Sequence, residues 1–197
     1  MIDTILNIDE QILLWFNGYH TDMLDWLMKT ISGKLTWIPF YAIMLWVLFR
    51  KFHWKVVLVI LVSIALAITL ADQIGASVIR PAVERMRPSN PDNPFSAFIH
   101  IVNGYRSGRY GFPSCHAANT FALATVYSMW MKRRSWWCGL TIWAIIVSCS
   151  RLYLGVHYPT DILVGAILGV ACGAAAYYIV RLIISLKPFR HALPIQH

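Results

Sequence analysis

Ser150-Arg151-Leu152-Tyr153-Leu154-Gly155-Val156-His157-Tyr158-Pro159-Thr160-Asp161 is a polar turn set between two strongly apolar runs, 135–154 and 161–186. Runs of that length cross a bilayer as helices, so the stretch reads as the connection of a membrane hairpin. Pro159 suits the first turn of the second helix, and the residue before it should be extended. His157 is thereby held in a fixed turn, with Asp161 four residues on. A carboxylate beside an imidazole fixes its tautomer and stabilises the imidazolium. An oriented neutral imidazole is a competent nucleophile. A structural His–Asp contact is the alternative for the pair taken alone.

Outward from this hairpin the alternation of apolar run and short polar turn continues. Five segments, 35–50, 56–79, 116–131, 135–154 and 161–186, have spanning or near-spanning length. The chain of 197 residues is 58% hydrophobic and only 13% charged, with a mean hydropathy of +0.56. A soluble core of one domain does not hide that much apolar surface. The expected fold is all-α: a polytopic membrane helix bundle, one domain over 1–197, with five to six transmembrane helices. Residues 1–33 add an N-terminal interfacial part. Ile2, Ile5, Leu6, Ile12, Leu13 and Phe16 repeat at helical spacing with Asp3, Asn7 and Glu10 opposite, the pattern of a helix lying in the interface. Asn17-Gly18 breaks it, and Asp22-Met23-Leu24-Asp25 opens a second short helix. The acidic residues argue against a sixth span here. No basic region precedes an apolar one at the start of the chain, so insertion is expected to use an internal segment.

The basic residues set the orientation. Arg50, Lys51 and Lys55 join the first two spans, Lys132, Arg133 and Arg134 the third and fourth, and Lys187 and Arg190 follow the last. The positive-inside rule makes all three groups cytoplasmic. The long polar insert 80–115 and the 151–161 turn then share the outer face. The net charge of +8 falls mainly in these loops, a pattern of topology signals and anionic-lipid contacts rather than of nucleic-acid binding. The four cysteines, Cys115, Cys138, Cys149 and Cys172, fit no zinc spacing and predict no disulfide framework.

Two further clusters lie on the outer face. In Pro113-Ser114-Cys115-His116, Ser114 reads as the N-cap of a helix whose free N–H groups suit an anion. His116, on the first turn, is placed to give a proton to a leaving oxygen; an ordinary cap with an interfacial histidine is the alternative. Arginine six residues after Cys115 would suggest a cysteine phosphatase loop, but Phe121 stands there. In Arg80-Pro81-Ala82-Val83-Glu84-Arg85-Met86-Arg87-Pro88, the seven-residue interval puts Arg80 and Arg87 on one side of a helix that Pro88 ends. Guanidinium groups match phosphate bidentately and keep their charge. Headgroup anchoring is the alternative; Arg85, Arg106 and Arg109 are read as such anchors or as contacts to a polar headgroup. A metal held by His116, His157 and Asp161 would be repelled by the neighbouring arginines, which already supply the fixed cations that phosphate needs.

Taken together, the three clusters resemble the type 2 phosphatidic acid phosphatase (PAP2) superfamily. Its signature runs Lys-x6-Arg-Pro, then Pro-Ser-Gly-His, then Ser-Arg-x5-His-x3-Asp. This chain has Arg80-x6-Arg87-Pro88, Pro113-Ser114-Cys115-His116 and Ser150-Arg151-x5-His157-x3-Asp161, in the same order and spacing. The resemblance implies a metal-independent phosphatase that needs no cofactor and works through a phosphohistidine. It implies His157 as nucleophile, Asp161 as its orienting group and His116 as acid, then base. Arg80, Arg87, Ser114 and Arg151 would bind the phosphate, with Cys115 beside them. Two departures stand out. Arg80 replaces lysine with a planar head, and Cys115 replaces glycine, adding a side chain that is strained at positive φ and tolerated at helical φ.

The implied substrate is a lipid carrying a phosphate or pyrophosphate, met at the outer face of a bacterial inner membrane. Undecaprenyl pyrophosphate ranks first, lipid A phosphate close behind and phosphatidylglycerophosphate third. Membrane lipids are the other expected partners, and the chain is expected to be a monomer or weak homo-oligomer. The competing class is a transporter or channel, for which Asp72 inside the second span is the argument. Against it, no internal repeat is visible.

Overall fold

A computed structural model describes residues 2–186; the basic positions Lys187 and Arg190 lie outside them. Secondary structure among the described residues is helical apart from one isolated bridge. Helices α1 (Ile2–Gly18) and α2 (Asp22–Ser32) precede α3 (Ile38–Lys51) and α4 (Trp54–Asp72). α4 continues through a wide turn, Gln73–Ile79, into α5 (Arg80–Val83). Pro81 has no N–H to give to the preceding turn, and a locally widened helix accommodates that loss. After a long loop come α6 (Cys115–Met131), α7 (Arg134–Tyr153) and α8 (Pro159–Ser185).

All five apolar segments form helices within or overlapping these bounds. Among the described residues two helices are long and apolar enough to cross a membrane on their own, Trp54–Val83 and Pro159–Ser185. The pair Asp22–Ser32 and Leu35–Lys51, bent by 73°, adds a third if it is one broken span. α6 and α7 fall short of that test, so length and apolarity do not reach the expected five to six. The reason for α6 is plain in the packing. Most of its 17 residues are buried against α4, α7 and α8, so its composition answers to protein neighbours rather than to lipid.

α6 and α8 form the tightest pair. Gly165, Gly169 and Gly173 lie against the α6 backbone. A Cβ at Gly165 would stand 2.5 Å from the Ser114 carbonyl, and one at Gly173 2.7 Å from that of Ala122. At Gly169 it would run into the Ala118 carbonyl. Small residues every fourth position let the two backbones approach. At the far end of the bundle Lys51 Nζ donates to the Met131 carbonyl at 2.8 Å, so the 50–55 and 132–134 turns meet there. The 80–115 loop and the 151–161 turn share the opposite end.

The face of α1 that meets the protein is mixed. Asp9, Leu13 and Asn17, at helical spacing, are buried, while Ile5, Ile8, Ile12 and Trp15 are exposed. Leu13 and Phe16 pack against Ile99, Leu152 and Tyr158. Asn17 shows why a polar residue stands on that face: its Nδ2 donates to the carbonyls of Tyr153 and His100, and its Oδ1 accepts the His100 N–H.

Candidate active site

The α7–α8 turn brings the histidine and the carboxylate together as the spacing predicts. Tyr158 is extended at φ −80°, ψ 158°, and Pro159 opens α8. Asp161 is fully buried; its Oδ2 accepts the Tyr158 N–H at 3.0 Å and faces His157 Nδ1 at 3.3 Å. On the far side of the ring, Arg87 Nη1 lies 2.8 Å from His157 Nε2. A guanidinium only donates, so this contact assigns the lone pair to Nε2 and the proton to Nδ1, beside the carboxylate. His157 is 1% exposed. Burial, then the charges of Arg87, Arg151 and Arg80, hold its imidazole well below the ordinary pKa, and it is neutral. Arg87 is itself lowered to about 10 by burial and by Arg80 and Arg151.

Arg87 reaches this place by a different route from the one its spacing suggests. The helix stops at Val83, not at Arg87, because Glu84 turns left-handed at φ 49° and returns its N–H to the Arg80 carbonyl. The chain then pairs with the end of the same loop. Arg87 N–H donates to the Arg109 carbonyl at 3.0 Å, and Gly111 N–H to that of Arg85 at 2.9 Å. Gly111 backs the ring: a Cβ there would stand 3.0 Å from Arg87 Cγ and 3.4 Å from His157 Nδ1. Arg87 Nε and Nη1 also bind the Tyr110 and Val156 carbonyls.

The other motif residues surround this pair. Ser114 caps α6, and its N–H donates to the Asp161 carbonyl at 2.9 Å, tying the starts of α6 and α8. Cys115 opens α6 with no positive φ, so the side chain in place of glycine carries no backbone strain. Its Sγ and the Pro113 carbonyl accept from Arg80 Nη2 at 2.8 and 3.2 Å. Arg151 is buried; its Nη1 reaches Ser32 Oγ and the Tyr105 hydroxyl. Arg80 Nη1, Arg87 Nη2 and Arg151 Nη2 have no hydrogen-bond acceptor among the described residues, so each arginine keeps a donor for an anion. His116 is half-buried and lines a cavity of about 370 Å³ with Ser32, Lys34, Asp72, Cys115, Asn119 and Thr120. A second cavity of about 400 Å³, lined chiefly by apolar side chains of α3, α4 and α6, shares Tyr41, Asn119, Thr120 and Trp143 with the first.

The sequence and the fold have known relatives. The PAP2 superfamily pattern matches residues 57–184. The chain belongs to the PAP2 superfamily. A lipid A 4'-phosphatase of Bacteroides thetaiotaomicron is 48% identical over 180 residues, 91% of this chain and 80% of that one. A lipid A 4'-phosphatase of Porphyromonas gingivalis is 35% identical, covering 89% and 74%. The solved PAP2-type phosphatidylglycerolphosphate phosphatase of Bacillus subtilis shares the fold, with a TM-score of 0.63 at 22% identity over 95% of this chain and 90% of that one. The protein is thus a membrane phosphatase of the PAP2 superfamily.

Several residues at this PAP2 site escaped the sequence reading. Arg85, assigned to headgroup anchoring, instead bridges two buried carboxylates: Nη1 to Asp161 Oδ1 at 3.0 Å and Nη2 to Asp9 Oδ2 at 2.7 Å. It also donates to Thr160 Oγ1 at 2.6 Å and stacks over Tyr158. Asp9 closes the group by accepting the Thr160 N–H and hydroxyl. Helix α1 is therefore bonded to the back of the His157–Asp161 pair. The sequence signal for Arg85 was its place inside the first motif. For Asp9 it was a carboxylate interrupting an apolar stripe. Arg106 donates to the Ser89 carbonyl within the loop, while Arg109 stays exposed beside Tyr110.

Proposed function

We propose that this protein removes a phosphate from a sugar-linked lipid of the lipid A type through a covalent phosphohistidine. The observation that carries the reading is the Arg87–His157–Asp161 line, with a second histidine, His116, on the cavity beside it. As phosphate enters, Arg87 Nη1 passes from His157 Nε2 to the phosphate oxygens; the freed Nε2 attacks phosphorus as the bond to the sugar oxygen breaks, and His116 gives that oxygen its proton. Asp161 holds the Nδ1 proton and stabilises the charge that develops on the ring. Water then attacks the phosphohistidine, His116 takes its proton, the P–N bond breaks and orthophosphate leaves. Arg80, Arg87 and Arg151 neutralise the phosphate oxygens, aided by the α6 start at Ser114 and Cys115. This chemistry uses fixed cations where other phosphatases use metals.

The sequence reading puts undecaprenyl pyrophosphate first, with lipid A phosphate close behind and no motif deciding between them. The two relatives at 48% and 35% identity both carry the name lipid A 4'-phosphatase, and they favour the sugar-lipid reading over it. The basic turns gathered at the other end of the bundle support a site facing the periplasm of a bacterial inner membrane. The test is release of inorganic phosphate by purified protein in EDTA, from lipid A and from undecaprenyl pyrophosphate side by side. Faster turnover of lipid A, with a phosphoenzyme trapped on acid quench, is the expected result. Activity only after divalent metal is restored, or turnover of the diphosphate alone, would overturn the reading.

A further inference from the structure

Asp72 has no part in the reaction just described. It ends α4, and its side chain lines the cavity that holds His116. Among the described residues it forms no ion pair: Arg80, two turns along the chain, is engaged with Cys115 Sγ and the Pro113 carbonyl. The cation that lines the cavity, Lys34, is exposed at its rim. Asp72 has the Cys115 thiol beside it, but a carboxylate without an ion pair, next to an anion-binding cradle and within a membrane bundle, is costly unless something uses it. Asn119 stands on the same wall, one turn beyond His116, and its Oδ1 is buried with no hydrogen-bond partner. Asn119 and Thr120 also line the apolar cavity that continues between α3, α4 and α6. Asp72 therefore lies beside the phosphate cradle, and Asn119 lies where that cavity meets the place where a hydrocarbon chain fits.

We infer that Asp72 and Asn119 form a headgroup-reading subsite that accepts hydrogen bonds from the hydroxyl and amide N–H groups of an acylated amino-sugar phosphate. The inference rests on the sugar-lipid reading above. A sugar bearing hydroxyl and amide donors satisfies both side chains. A diphosphate joined directly to a polyprenyl chain brings acceptors alone. An amide can turn either end to its partner, so Asn119 adapts, whereas the Asp72 carboxylate is acceptor-only and does the discriminating. Sites built to bond a substrate O–H or N–H reject analogues that lack it, because the buried acceptor is left unpaired.

The experiment measures kcat/KM of the purified full chain on three phosphates: a diacylated glucosamine 4-phosphate, phosphatidic acid and undecaprenyl pyrophosphate. Asp72→Asn should lower the ratio of sugar lipid to phosphatidic acid about tenfold, and raise undecaprenyl pyrophosphate relative to the sugar lipid. Asn119→Leu, in the middle of a helix, gives an independent reading and should lower the first ratio in the same direction. If neither variant moves that ratio by more than about threefold, the subsite is overturned, including the case where a variant loses all substrates equally. If the unaltered protein hydrolyses phosphatidic acid and the diphosphate but not the sugar lipid, the sugar-lipid reading falls, and this subsite with it.

Discussion

The two histidines of the site are held in opposite ways. His157 is sealed: Arg87 on Nε2, Asp161 on Nδ1, Gly111 against its face, and a second layer in which Arg85 joins Asp161 to Asp9. His116 lies on a cavity wall, and no described residue holds its ring by hydrogen bond. A group that forms a bond to phosphorus gains from a fixed lone pair. A group that gives a proton to one oxygen and takes it from another needs access to both partners and to water. In the proposed mechanism the sealed side and the open side take those separate tasks, and the contrast can be broken experimentally.

The largest effect should come from the sealed side. His157→Ala removes the nucleophile and should leave no measurable release of phosphate from a protein that still elutes as a folded species. His116→Ala should slow turnover by a factor of about 10² to 10⁴. With a leaving group that needs no proton, the His116 variant should still phosphorylate itself, detected as acid-quenched radiolabel on His157. Label on a His157→Ala chain, or full activity in both variants, would break the assignment of roles.

The distance between the two sides is set by α6 lying on α8. Gly169→Leu forces a side chain into the Ala118 carbonyl and the Phe121 Cβ. Overpacking of a rigid contact costs about 1–3 kcal/mol or more, and backbone cannot yield as a side chain does. Lower thermal stability in detergent and a parallel loss of activity on every substrate are expected. Unchanged melting and unchanged turnover in bilayers would mean that the two helices are free to part.

These contrasts also show what was legible beforehand. Apolar length located the helices, because hydrocarbon thickness is a local constraint on sequence. The motif residues Arg80, Arg87, Ser114, Cys115, His116, Arg151, His157 and Asp161 were legible because each cluster is contiguous and its turn chemistry is local. The path of Arg87 was not. Its helix ends at Glu84, and the segment is re-aimed by pairing with residues 109–111, a contact of long sequence separation. The partners of Asp9, Ser32 and Tyr105 were not legible for the same reason: each is met from another element. The docked face of α1 was not legible either, since periodicity reports which residues share a face but not which face meets protein.

The second layer supplies a smaller test. Asp9→Asn keeps shape and removes one of the two carboxylates that Arg85 bridges, leaving the guanidinium free to pull Asp161 off the ring. A misplacement of order 1 Å near the reacting atoms costs roughly 10² in rate. The expected loss is therefore in kcat rather than KM, with substrate binding through Arg80 and Arg151 largely kept. A loss confined to KM would return α1 to a role in holding lipid at the interface.

The smallest effect is a displacement along the pH axis. His157 attacks only when neutral, so kcat/KM falls on the acid side as the free enzyme's imidazole takes a proton. Burial and the Arg87, Arg151 and Arg80 charges depress that imidazole below its ordinary value, so the unaltered protein should keep activity at pH below about 6.5. Arg87→Gln removes a positive charge 2.8 Å from Nε2. Protonation then becomes easier, the pKa rises toward its ordinary value, and the acid limb should move to higher pH. Arg87→Lys keeps the charge and should leave the limb closer to its original place, even though both variants bind phosphate less well. Burial acts first among the causes, so the Gln variant should shift the limb only part of the way. An acid limb that stays fixed in Arg87→Gln, or moves to lower pH, would show that the titrating group is not His157 and would dissolve the contrast between a sealed and an open histidine.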